Sequence, residues 1–136
     1  MFQSISIAGT GMNVYQTWID TIGGNVANMQ DAVTPGKPVY RAQEVVAAPQ
    51  AASALPGGVG VGQGVQITQI ALGPKGITVY DPTSAAANPQ GLVVQPNVNL
   101  GHELVSLTMA QSGYQANAAV LSHAQAAYQA ALNIHV

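Results

Sequence analysis

Residues 5–29 read ISIAGTGMNVYQTWIDTIGGNVANM, and their spacing decides the fold. Ile5, Ala8, Met12, Tyr15, Ile19, Ile22, Val26 and Met29 fall alternately three and four residues apart. A heptad pattern sustained in this way predicts a long helix with an apolar seam. At ~1.5 Å per residue it would span roughly 38 Å. Gly9, Gly11, Gly23 and Gly24 sit inside it. Each costs ~1 kcal/mol relative to Ala in a helix interior. They are expected either to kink the helix or to admit a close neighbour.

The end of the chain repeats the logic from about Asn99 to Leu132. Leu107, Tyr114, Leu121 and Tyr128 recur at the heptad interval, with Leu100 one heptad earlier. Leu104, Ala118 and Leu132 complete most of the alternate seam, and Gln111 and Gln125 interrupt it. Ala110, Ala124 and Ala131 flank the large residues, so another helix can approach closely. Asn99 suits an N-cap, because its side chain can accept from an unsatisfied backbone N–H. Glu103 falls in the first turn, where the helix dipole favours a negative charge. Burying one apolar seam does not offset the entropy of ordering so long a backbone. Each helix therefore needs a partner, and the two are expected to pair as a coiled coil while remaining weakly ordered until further copies pack on them.

Between the helices the signals change. Thr34-Pro35-Gly36-Lys37-Pro38 marks a turn. Residues 39–46, then Val65, Ile67 and Ile70, then residues 77–80, then residues 92–94 read as short strands, with Gly73-Pro74 and Asp81-Pro82 as breaks. Residues 49–64 are rich in Ala, Gly and Ser and read as a loop. The expected fold is mainly α with a small β-rich insertion. Its parts are an N-terminal helix over 1–30, the insertion over 31–96 and a C-terminal helix over 97–136, the two helices forming one domain.

Composition narrows the function classes. Of 136 residues only 6% are charged, against 48% hydrophobic, and the net charge is −2. A typical soluble domain carries about 25% charged residues. The deficit suits a surface covered by neighbouring copies or relatives better than one exposed to water. Lys37, Arg41 and Lys75 form no basic patch, so nucleic acid is not an expected partner. Cysteine is absent, which leaves no thiolate or disulfide chemistry. No apolar run reaches the length of a membrane span. No signal of the cleaved type opens the chain.

Chemistry is likewise missing. His102, His123 and His135 lack ligand spacing; the last two are about 18 Å apart along one helix. The carboxylates Asp20, Asp31, Glu44, Asp81 and Glu103 are dispersed, and no Gly-x-Ser-x-Gly elbow occurs. Residues 57–64 (GGVGVGQG) lack both the dinucleotide fingerprint and a following Lys-Ser or Lys-Thr. No catalytic residue, cofactor or metal is expected.

Two segments carry a resemblance. Gly24-Asn25-Val26-Ala27-Asn28, then Thr34-Pro35-Gly36 and Tyr40-Arg41, resembles the N-terminal signature of the flagellar rod and hook family. Pro96-Asn97-Val98-Asn99, Glu103-Leu104 and Tyr114-Gln115-Ala116-Asn117 resembles the C-terminal signature of its proximal rod members. Tyr80-Asp81-Pro82 and Asn88-Pro89-Gln90-Gly91 match the region between. The chain departs from the pattern at Thr83-Ser84, where His-Pro is usual, at Leu92 in place of Tyr, and at Ser112 in place of Arg.

The resemblance implies a structural subunit of the basal-body rod that polymerises through its terminal helices and transmits torque from motor to hook. It implies export through the flagellar type III apparatus without a cleaved signal peptide, and a place in the periplasmic rod. The implied partners are other copies, other rod proteins and the rod-base adaptor. The residues expected at the assembly interface are Ile5, Met12, Tyr15, Ile19, Ile22, Asn25, Val26, Asn28, Leu104, Leu107, Tyr114, Asn117, Leu121 and Tyr128. The alternative is a secreted helical hairpin that acts in a discrete complex.

Overall fold

The structure, a computed structural model, describes residues 2–51 and 62–133. Helix α1 spans Phe2–Asn28 and helix α2 spans Leu100–Asn133. Between them lie strands β1 (Gln43–Pro49), β2 (Val65–Leu72), β3 (Ile77–Tyr80) and β4 (Leu92–Gln95). The mainly α architecture with a small β insertion is the expected one. Most of the Gly-rich loop, residues 52–61, and His135 lie outside the described residues.

The two helices pack on each other as an antiparallel hairpin. Three contacts fix the register. A Cβ on Gly11 would lie 2.8 Å from Asn117 Oδ1. A Cβ on Gly113 would strike the Tyr15 ring. Asn25 Nδ2 donates to Glu103 Oε1 at 3.2 Å. Along these three contacts, each step up α1 matches an equal step down α2. In that register Asn28 faces Leu100, so the helices are flush at one end. At the other end α2 runs about seven residues, or ~10 Å, beyond the point facing Phe2.

The packing face takes in only part of the apolar seam, Ala8, Tyr15 and Ile22 on α1. Buried on α1 are Ala8, Gly11, Thr21, Ile22 and Asn25; buried on α2 are Glu103, Ser106 and Ala110. Ile5, Met12, Ile19 and Val26 are only half-buried, as are Leu107, Tyr114 and Leu121. Small residues face each other or receive one large residue from the opposite helix, as Gly113 receives Tyr15. The glycines of α1 therefore divide. Gly11 admits a neighbour, whereas nothing lies within 4 Å of a Cβ on Gly9 or Gly23, and α1 continues through all of them.

The insertion forms two antiparallel ribbons, β1–β2 and β3–β4. The first packs along α1. Asn25 holds it at one end through Gln43, and Thr10 Oγ1 holds it at the other by accepting from Val65 N at 3.2 Å. The lengths agree: seven strand residues reach ~20 Å, and the stretch from Thr10 to Asn25 rises ~22 Å. A bulge between Val46 and Ala47 bends the ribbon. The β3–β4 ribbon gains a third edge where Val33 and Val94 exchange backbone bonds of 2.9 and 2.8 Å, and Val93 beneath is fully buried.

The first strand begins later than the sequence suggests, at Gln43 instead of Val39. The partner decides this: β2 ends at Leu72, opposite Gln43. The residues just before it are held by side chains instead, Tyr40 on Asn25 and Arg41 on the carbonyls of Gly73 and Leu72. The turn signal is realised as read. Lys37 N donates to Thr34 O at 3.1 Å, and Gly36 adopts φ +94° after Pro35.

Space at the glycines gives a paired prediction. Gly23→Ala gains helix propensity in open space and should raise stability by about 0.5–1 kcal/mol. Gly113→Ala gains the same propensity but displaces the Tyr15 ring. It should fall at least ~1 kcal/mol below Gly23→Ala in chemical denaturation.

Candidate functional site

The most heavily bonded side chain lies where α1, α2 and β1 meet. Asn25 is 2% exposed. Its amide Nδ2 donates to Gln43 O at 2.9 Å and to Glu103 Oε1 at 3.2 Å. Its Oδ1 accepts from Gln43 N at 2.8 Å and from the Tyr40 hydroxyl at 2.9 Å. That saturates the bonding capacity of one carboxamide. Asn28, one turn on, turns back to Gly24 O at 2.8 Å and ends the helix. Asn99 accepts from His102 N at 3.0 Å, the expected N-cap of α2.

The electrostatics of the junction centre on Glu103 and Tyr40. Burial pushes the Tyr40 phenol above its ordinary range, and the Glu103 carboxylate nearby pushes it in the same direction. Glu103 thus does more than complement a helix dipole: it lies buried in the junction as the acceptor for Asn25. Away from the junction, Thr83 donates to Asp81 Oδ1 through both its N–H and its hydroxyl, at 3.1 and 2.7 Å. Those bonds hold the Asp81 carboxyl below its usual range.

Tyr15, Ile22, Asn25 and Asn117 of the expected interface are drawn into the hairpin itself. Asn117 packs on Gly11 and also donates to Gly113 O at 2.9 Å. Leu104 and Tyr128 stay exposed, at 52% and 42%. Leu100, Val105, Met109, Val120 and Leu132, outside that set, are exposed as well. The sequence reading missed Gly113, Glu103 and Ser106 as packing positions, whereas Gly11 was among the glycines expected to admit a neighbour. The Gly11 signal was present as a glycine inside a heptad run.

A groove of about 390 Å³ runs between α1 and the first ribbon, with Val14, Tyr15, Trp18, Val45 and Val65 in its walls. The Tyr15 and Trp18 rings stack there, with centroids 6.3 Å apart. Among the described residues no three His, Cys, Asp or Glu side chains gather as a metal site. No helix among them is long and apolar enough to cross a membrane.

Comparison with known proteins gives a consistent answer. Residues 90–134 match the family described as flagellar basal body rod FlgEFG protein, C-terminal. The chain is 31% identical to the flagellar basal-body rod protein FlgC of Borreliella burgdorferi, over 98% of this chain and 97% of that one. It is 33% identical to FlgC of Escherichia coli, over 85% and 84% of the two chains. With FlgC of Bacillus subtilis it shares 27% identity over 98% and 97%.

The junction yields two predictions. Asn25→Ala leaves Gln43 N–H, the Tyr40 hydroxyl and Glu103 without their partner, and should cost about 2–4 kcal/mol in chemical denaturation. Because the Tyr40 phenol is raised in the folded chain, the stability it contributes is complete below the ordinary tyrosine range. It is lost as pH rises through the folded value. An ultraviolet titration of the folded chain should show one phenol ionising late, and Tyr40→Phe should remove that component.

Proposed function

The chain belongs to the FlgC family of flagellar basal-body rod proteins, and on that premise we propose that it is a polymerising subunit of the proximal rod. The family is structural, not enzymatic. In this reading the hairpin of α1 and α2 is the packing domain, and the insertion over 31–96 decorates it. Copies stack through the outer faces of the helices into a coiled-coil tube that carries torque from motor to hook. The subunit reaches the periplasmic rod through the flagellar type III apparatus, without a cleaved signal. Its neighbours are further copies, other rod proteins and the rod-base adaptor.

One observation carries the reading. The hairpin closes on its small residues and leaves large apolar ones outside: Leu104, Val105 and Met109 are 52%, 60% and 59% exposed. With 6% charged residues in the chain, little on these faces opposes burial against another subunit. Contacts of this type, between different patches of successive subunits, propagate instead of closing. Ile5, Met12, Ile19, Val26, Leu107, Tyr114 and Leu121 are only half-buried in the chain alone and would add to the buried surface on assembly.

The test is mass spectrometry of purified hook–basal bodies. The chain should appear in a low, fixed ratio to the other rod proteins; its absence from intact basal bodies would reject the reading. Leu104→Asp places a charge on an outer face without touching the hairpin contacts. The purified variant should melt with wild type, while cells that carry it lose motility and incorporate at most about a tenth of the normal amount.

A further inference from the structure

Beside the junction, adjoining the apolar groove at Trp18 and Glu44, lies a hollow of about 230 Å³. Glu103, Ser106, Gln43, Glu44, Asn97 and Trp18 are among the residues that line it. Two of its polar side chains are more than nine-tenths buried, Glu103 at 7% exposure and Ser106 at 8%. Among the described residues the Glu103 carboxylate accepts a single hydrogen bond, on Oε1 from Asn25. An ionised carboxylate offers about four acceptor positions. The Ser106 hydroxyl makes no hydrogen bond among the described residues. Yet no side-chain nitrogen or oxygen of those residues is both sealed from solvent and unbonded. The unused positions of Glu103 and Ser106 therefore open into the hollow.

The lining has two carboxylates and no lysine or arginine. Trp18 and Pro74 add apolar wall. Several acceptors at different angles, a net negative lining and an aromatic surface suit a guanidinium. Its five donors sit in a rigid fork, it stacks on aromatic faces, and it is less strongly hydrated than an ammonium. The chain's one arginine is already engaged, since Arg41 donates to Gly73 O at 2.8 Å and to Leu72 O at 3.2 Å. A second copy would offer only the ammonium groups of Lys37 and Lys75.

We propose that this hollow receives an arginine side chain from a different protein of the rod, held by Glu103 and Ser106. The inference rests on the rod reading above and adds to it a specific polar lock beside the apolar faces. It also gives the low-charge chain a means of choosing a neighbour, because a buried carboxylate rejects any partner that leaves it unpaired.

Glu103→Gln keeps an oxygen for Asn25 to donate to and removes the charge. Purified Glu103→Gln should melt with wild type, yet its ratio to other rod proteins in basal bodies should fall about tenfold or more. Ser106→Ala should lower the ratio severalfold, also without a change in melting. Trp18, the only tryptophan, lies in the wall of both the hollow and the apolar groove, so its emission reports occupancy of the hollow by comparison with Glu103→Gln. N-acetyl-argininamide should shift its emission saturably, at about a tenth of the concentration that the lysine analogue needs, and should fail to do so in Glu103→Gln. Normal incorporation of Glu103→Gln would overturn the proposal. So would a loss of incorporation matched by a loss of melting temperature, which would confine the carboxylate to the hairpin junction. If wild type itself were absent from basal bodies, the rod reading would fall, and the argininamide titration would still decide the pocket.

Discussion

One carboxamide holds the molecule together. Asn25 joins the end of α1 to the start of α2 through Glu103, and to the first ribbon through both backbone groups of Gln43. The helices meet along small residues, whose burial removes little apolar area, so the packing at Gly11 and Gly113 marks the register while contributing little apolar stabilisation. A two-stranded ribbon is marginal by itself in water. A buried amide must satisfy all of its bonds in one arrangement, and any slip would leave several groups unpaired at once. Polar bonding therefore locks the same register that packing at the glycines marks.

The small inner face has a second effect. Gly11 against Asn117 and Gly113 against Tyr15 let the helices approach closely, and the large residues are turned outward along the flanks of the hairpin. The apolar stripe of each helix is wider than the hairpin can cover. What the chain gains internally is register; what it presents externally is area. The same division explains the composition. Charges on these faces would have to be desolvated in any contact, and amide, hydroxyl and alanine side chains avoid that cost.

The sequence made the helices and most strands legible because period and turn chemistry are local. The heptads gave both helices, Asn99 gave the cap of α2, and Pro35-Gly36 gave the turn. The face of each helix that pairs inside the chain was not legible. Heptad reading follows large apolar residues, and here only Tyr15 and Ile22 among them enter the contact while the others lie beside it. Recognising Gly11 and Gly113 as receptors requires knowing that Asn117 and Tyr15 stand opposite them, which depends on the register. Glu103 lies in the first turn as read, but its second role was not legible for a similar reason. Its place in the first turn suggested a dipole interaction, and its burial follows only from the position of Asn25, far earlier in the chain. The start of β1 moved because a strand exists only where its partner does.

A hairpin built in this way is suited to packing against neighbours. If the large residues met inside, the chain would be stable alone and its outer faces would be small and polar, with little to gain from association. With glycine, alanine and serine inside, apolar burial within the chain is modest and a large share of the available area faces outward. The unequal helix lengths add to this. The last turns of α2 run past the point facing Phe2 with Leu132 56% exposed, and no part of α1 faces them. An outward apolar face combined with one fixed polar register gives a unit that is incomplete in burial, which on the proposed reading its neighbours complete.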